Sequence, residues 1–163
     1  MLRPSFVPPP AIRELRDLTR HRVDPLAERT AEKQRVEKLL EDALVTLSAV
    51  VSDLFSASGR AMMAALIAGE RDPAALANLA RGSLRNETGR LTEALTGRFT
   101  QHHAFLLTQM LWRVDAITAD IATVQERIDV QIAPFAQAVA RLDEIPASAP
   151  RQPKRSWPRS AWT

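Results

Sequence analysis

The sequence predicts an all-α protein: two long helices forming an antiparallel coiled-coil hairpin, a head of short helices between them, and disordered termini. Three observations predict it. A seam of mostly apolar residues spaced alternately by four and three runs through the C-terminal third, which is coiled-coil periodicity. No segment alternates apolar and polar residues long enough for a convincing strand. The stretch between the long segments carries helix start and stop signals, with Ser or Asp before two of its short apolar runs and Gly after all three.

In chain order, residues 1–10 hold four prolines and read as an extended segment. The helical coiled-coil domain is expected over residues 11–146. Its first long helix covers about Ala11 to Ala43, with Ile12, Leu15, Leu18, Val23, Leu26, Val36, Leu39 and Leu40 as apolar positions. Pro25 is expected to bend or interrupt it, with Asp24 as a cap if a new helix starts there. Ser56 or Ser58 can cap a helix through Ile67 that stops at Gly69. Asp72-Pro73 opens another, to about Ala80, and a further turn or two from Glu87 to Leu95 ends at Gly97. The last long helix is expected from Thr100 to Leu142, roughly 65 Å at 1.5 Å per residue, bent by Pro134. Its seam runs His103, Leu107, Met110, Val114, Ile117, Ile121, Val124, Ile128, Gln131, Phe135, Ala138 and Leu142. Residues Leu107, Met110, Val114, Ile117, Ile121, Val124, Ile128 and Phe135 are the expected self-association seam, because a two-stranded rod leaves apolar surface for a further strand to cover. Residues 147–163 read as a basic, Pro- and Trp-containing disordered tail.

Charge narrows the choice of partner. The 163 residues carry 22 Lys+Arg against 19 Asp+Glu, a net of +3. Four of those bases, Arg151, Lys154, Arg155 and Arg159, sit in a tail without acids. Without them 18 bases face 19 acids, so the body is close to neutral. The high isoelectric point therefore describes the tail. Cysteine is absent, which excludes disulfides, cysteine-ligated zinc and thiol catalysis. Five scattered glycines build no phosphate-cradling loop. No apolar run approaches the roughly 18 residues of a membrane span, and Pro8, Pro9 and Pro10 do not fit a signal peptide. A cytoplasmic protein with no membrane and no small-molecule substrate is expected.

No constellation of catalytic residues emerges. His102 and His103 are neighbours and diverge by about 100° on a helix, without the spacing that places two ligands on one metal. The carboxylate pairs Glu41/Asp42 and Asp143/Glu144 diverge for the same reason, and Asp115, Asp120 and Asp129 suit a solvated helix face. Ser48, Ser52, Ser56 and Ser58 cluster without a base to activate a nucleophile. Catalytic residues and metal ligands are thus expected to be absent from this chain. What remains is basic: Arg13, Arg16 and Arg20 at i, i+3, i+7 share one helix face, and Lys33 adds to the charge of the same helix. Such a stripe can meet nucleic-acid phosphates; a solvated outer face of the coiled coil is the alternative. No aromatic platform accompanies it, which argues against stacking of single-stranded bases.

Several long segments resemble a known family in the same order: LRPSFVPPPAIRELRDLTRHR, EKQRVEKLLEDA, SGRAMMAALIAGERDP, LANLARG and GRFTQHHAFLLTQML. Together they are similar to the central region of the IS one-ten family of insertion-sequence transposases, from residue 2 to about 146. The resemblance implies a coiled-coil segment set between a RuvC-like domain with a DEDD metal site and a transposase domain with a catalytic serine. It implies multimers that act on DNA, guided by an element-encoded RNA, with a divalent metal such as Mg in the DEDD domain. The DEDD carboxylates would precede Met1, and no cofactor is expected in this chain. After Asp143-Glu144-Ile145-Pro146 the family continues with a Gly-containing turn, whereas here ASAPRQPKRSWPRSAWT follows; a truncation or frameshift at that point is expected. The expected function is that of a transposase fragment in DNA transposition and recombination, not an enzyme as an isolated chain, that keeps self-association and nucleic-acid contact. The expected partners are DNA, the guide RNA, and further copies of the chain or a full-length transposase. The alternative is a helical adaptor or regulator that associates with a full-length transposase.

Overall fold

A computed structural model describes residues 7–137 and Arg141. The tail 147–163, the seam positions Ala138 and Leu142, and residues 1–6 lie outside the described residues. Among those described, five α-helices and three short 3-10 turns make up the fold, with no strand.

Helix α1 spans Pro10–Asp42. Pro10 occupies the first helical turn, where its missing N–H has no helical partner to lose, and Pro9 O accepts from the amides of Ile12 and Arg13. The helix is continuous through Pro25, so Asp24 does not open a second helix. Pro25 is half-buried and lines the α1/α5 groove beside Val124, and that packing offsets the lost hydrogen bond. The C-terminus closes with Leu44 N–H donating to Glu41 O at 2.8 Å and Val45 N–H to Leu40 O at 2.8 Å. This is the pairing of a Schellman motif, yet the residue at the left-handed position is Leu44, φ +60°, where glycine is usual.

Helix α2 (Ala57–Ala68) is capped by Ser56, whose side chain accepts from Gly59 N–H, and ends at Gly69 with φ +104°. Helix α3 (Pro73–Ala77) starts at Asp72, which accepts from the amides of Ala74 and Ala75; it stops short of Ala80. A 3-10 turn over Gly82–Glu87 leads into α4 (Thr88–Ala94). Helix α5 spans Gln101–Ile132 and passes into a 3-10 turn, Ala133–Phe135. The regular α-helical ladder is interrupted there, because Pro134 supplies no N–H to it; helix resumes at Ala136 and Gln137, and the expected end at Leu142 lies outside the described residues.

Residue numbers rise along α1 as they fall along α5. Glu14 meets Gln131 at 3.3 Å, Arg22 bonds Gln125, Glu32 faces Arg113 at 3.7 Å, and Arg98 N–H donates to Ala43 O at 2.7 Å. The last contact ties the chain entering α5 to the end of α1, and it requires Gly97. A Cβ there would lie 2.6 Å from Ala43 O and 2.7 Å from Val45 Cγ2.

The hydrophobic core sits in the head. Leu40, Val45, Leu47, Met62, Met63, Leu66, Leu76, Leu91 and Leu107 are almost wholly buried together. They come from α1, its following turn, all three short helices and the start of α5. Further out the interface thins. Ile12, Leu15, Leu18, Leu26, Ile117, Ile121 and Val124 are only half-buried, and the polar Arg22, Gln125 and Gln131 share the seam with them. Ile128 is the buried exception there.

Candidate nucleic-acid interface

Arg13, Arg16 and Arg20 are exposed on α1, and no described carboxylate lies within ion-pair distance of any of them. From Arg13 to Arg20 the helix rises about 10 Å. Three full charges therefore stand in a row toward the end of the α1/α5 pair that lies away from the head. Asp17 and Asp24 flank the row on the same side of the helix and are also exposed.

Lys33 does not belong to it. Twenty residues beyond Arg13, it is turned by about 200° around the helix. Its ammonium sits 4.6 Å from the Phe55 ring centroid, with the Arg60 guanidinium 5.2 Å from the same ring. Lys33 thus contacts the head through a cation–π interaction; grouping it with the arginines counts charge without helical phase. Arg60 in turn pairs with Asp115 of α5, which stays exposed.

The expected self-association seam faces inward. Leu107, Val114 and Ile128 are buried within the single chain, while Met110, Ile117, Ile121, Val124 and Phe135 are half-buried. Helix α1 and the head occupy this side, so the seam is first an intramolecular surface. The large side chains left in solvent on α5 are Phe105, Trp112 and Val130. Phe105 and Trp112 precede the seam residues Leu107 and Val114 by two positions each, a rotation of about 200°. No heptad reading could flag them, since they lie on the face the heptad leaves out.

No family model, curated protein or solved structure matches the chain. Among the described residues, no group of His, Asp and Glu is arranged to hold a metal ion, and no helix is long and apolar enough to cross a membrane. His103 is engaged locally. Its Nδ1 accepts from Thr100 N–H at 3.0 Å, a capping contact at the start of α5 that Glu or Gln more often makes. His102 is exposed beside it. Of the clustered serines, Ser56 caps α2 and Ser58 is buried, accepting from Arg81 N–H at 2.9 Å.

Proposed function

We propose that the chain is the helical arm of a transposase-type DNA recombination protein, an antiparallel coiled-coil hairpin that contacts nucleic acid and does not itself catalyse strand exchange. The observation that carries the reading is the exposed row of Arg13, Arg16 and Arg20, unpaired among the described residues, at the end of α1 away from the core. The similarity of its segments to the central region of the IS one-ten transposases supports the same role. In this reading the head fixes the hairpin, and the arginines meet the phosphates of the DNA or of the guide RNA.

Binding of duplex DNA and of a structured RNA, measured against salt, tests it. Replacing the three arginines with alanine should lower the salt slope for duplex by close to three phosphate contacts, about 0.9 each. An unchanged slope in the triple variant would sink the reading.

A second reading, a helical adaptor that joins another copy or a full-length transposase, is favoured by Phe105 and Trp112, exposed by 64% and 68% on one face of α5. Phe105→Ser with Trp112→Ser leaves the fold intact and should lower the association state in sedimentation. A parent chain that is monomeric at tens of micromolar excludes association.

A further inference from the structure

A cavity of about 430 Å³ opens in the head between the start of α2, the 3-10 turn at Gly82–Glu87 and α4. Arg81 and Arg90 line it with Glu87, while Val50, Val51 and Leu84 form an apolar wall. Arg90 is held by Glu87 at 3.0 Å, whereas Arg81 has no carboxylate partner among the described residues. The lining therefore carries one net positive charge.

Ser58 adds a buried donor. It is 7% exposed, and its oxygen accepts from Arg81 N–H. A hydroxyl has one proton to give as well as lone pairs to receive with, and no described group accepts that proton. Ser52 and Ser83 bring two further hydroxyls to the same cavity. A buried donor without an acceptor is costly unless a ligand or water supplies one.

We propose that this cavity binds one phosphodiester of a nucleic-acid strand, with Arg81 and the Ser58 hydroxyl on the phosphate oxygens and the sugar against Val50, Val51 and Leu84. A diester carries a single negative charge and matches the lining, whereas a phosphomonoester carries nearly two at neutral pH. The apolar wall gives sugar carbons a surface that a bare anion would leave uncovered. No aromatic side chain lines the cavity, so base stacking plays no part. The site shares no residue with the arginine row, whose nearest member, Arg20, stands about 33 Å along α1 from the end of that helix at Asp42.

The test uses the full chain, labelled with ¹⁵N, titrated in parallel with a dinucleoside monophosphate, a nucleoside 5′-monophosphate and inorganic phosphate. The amides of Ser58, Gly59 and Arg81 should shift saturably with the dinucleoside monophosphate. Arg81→Gln should weaken that binding about tenfold or more, the loss of one charge-assisted hydrogen bond. Its exposed side chain and retained backbone N–H keep the fold, which the dispersion of the remaining spectrum verifies. The Arg13, Arg16 and Arg20 triple alanine variant should bind the dinucleoside monophosphate as the parent does, so failure of the arginine row and failure of this site are read separately. Absence of shifts at the three amides overturns the proposal, as do equal shifts in Arg81→Gln. Tighter binding of the monophosphate or of inorganic phosphate overturns it in favour of a simple anion site.

Discussion

Glu32 of α1 and Arg113 of α5 face each other at 3.7 Å, with the carboxylate side chain only 3% exposed. The distance makes an ion pair without a hydrogen bond, and Glu32 Oε1 has no other partner. Its second oxygen takes a charge-assisted bond from Arg35 at 2.6 Å. A buried acid thus sits where the tight packing of the head gives way to the looser outer hairpin, held by two arginines whose own side chains are mostly in solvent.

Removing both arginines should cost about 3 kcal/mol, because the buried charge is then left without a partner. Restoring the loss with Glu32→Met in the same background is the sharper expectation, since an apolar side chain of similar length needs no partner. Urea unfolding of the three proteins checks it. A double variant as stable as the parent would show that the carboxylate is solvated.

Leu44→Gly should stabilise the protein by about 1 kcal/mol. The left-handed backbone at Leu44 costs a side-chain-bearing residue roughly that amount, and the side chain, 58% exposed, contributes little burial. The hydrogen bonds of the α1 end are unchanged by the substitution. Thermal unfolding reads the difference directly.

Two glycines should respond in opposite directions. Gly97→Ala places a methyl against Ala43 O and should cost about 1–3 kcal/mol through a forced backbone shift. Gly89→Ala, inside α4 with open space around the new Cβ, should gain about 0.5–1 kcal/mol from helix propensity. Equal effects at the two sites would contradict the close crossing of α1 and the α5 entry.

Stability should be graded along the hairpin. Leu107→Ala, at the centre of the head core, should cost about 2–5 kcal/mol, and Ile121→Ala, half-buried further out, clearly less. Native-state hydrogen exchange should show the same order, with amides near Leu40 and Leu107 protected longest and those near Leu15 and Val124 released first.

Particular residues show where the sequence was legible. Ser56, Gly69 and Asp72-Pro73 mark helix ends because capping is local chemistry, decided within three or four residues. The all-helical class and the start of α5 near Thr100 were legible from periodicity. Leu44 was not, because nothing in its side chain favours a positive φ; the Schellman contact of Val45 with Leu40 imposes it. The heptad seam points to a core along α5, yet the core lies in the head, where Leu47, Leu76 and Leu91 come from segments too short to show a period. Among the site residues, Arg13, Arg16 and Arg20 share a face as their spacing requires. Lys33 goes elsewhere because a contact with Phe55, 22 positions on, is invisible to spacing along one helix. The cavity at Arg81 joins residues from three separate segments, and only the serine cluster hinted at it.

The concentration of the core at one end gives the hairpin mechanical leverage. From Leu40, locked in the head, to Arg13 the chain climbs about 40 Å of continuous helix. A tilt of about ten degrees at that base carries the arginines through about 7 Å, comparable to one turn of helix pitch. Small adjustments where Glu32 meets Arg113 are therefore magnified at the far end of α1, which can swing without unfolding the core.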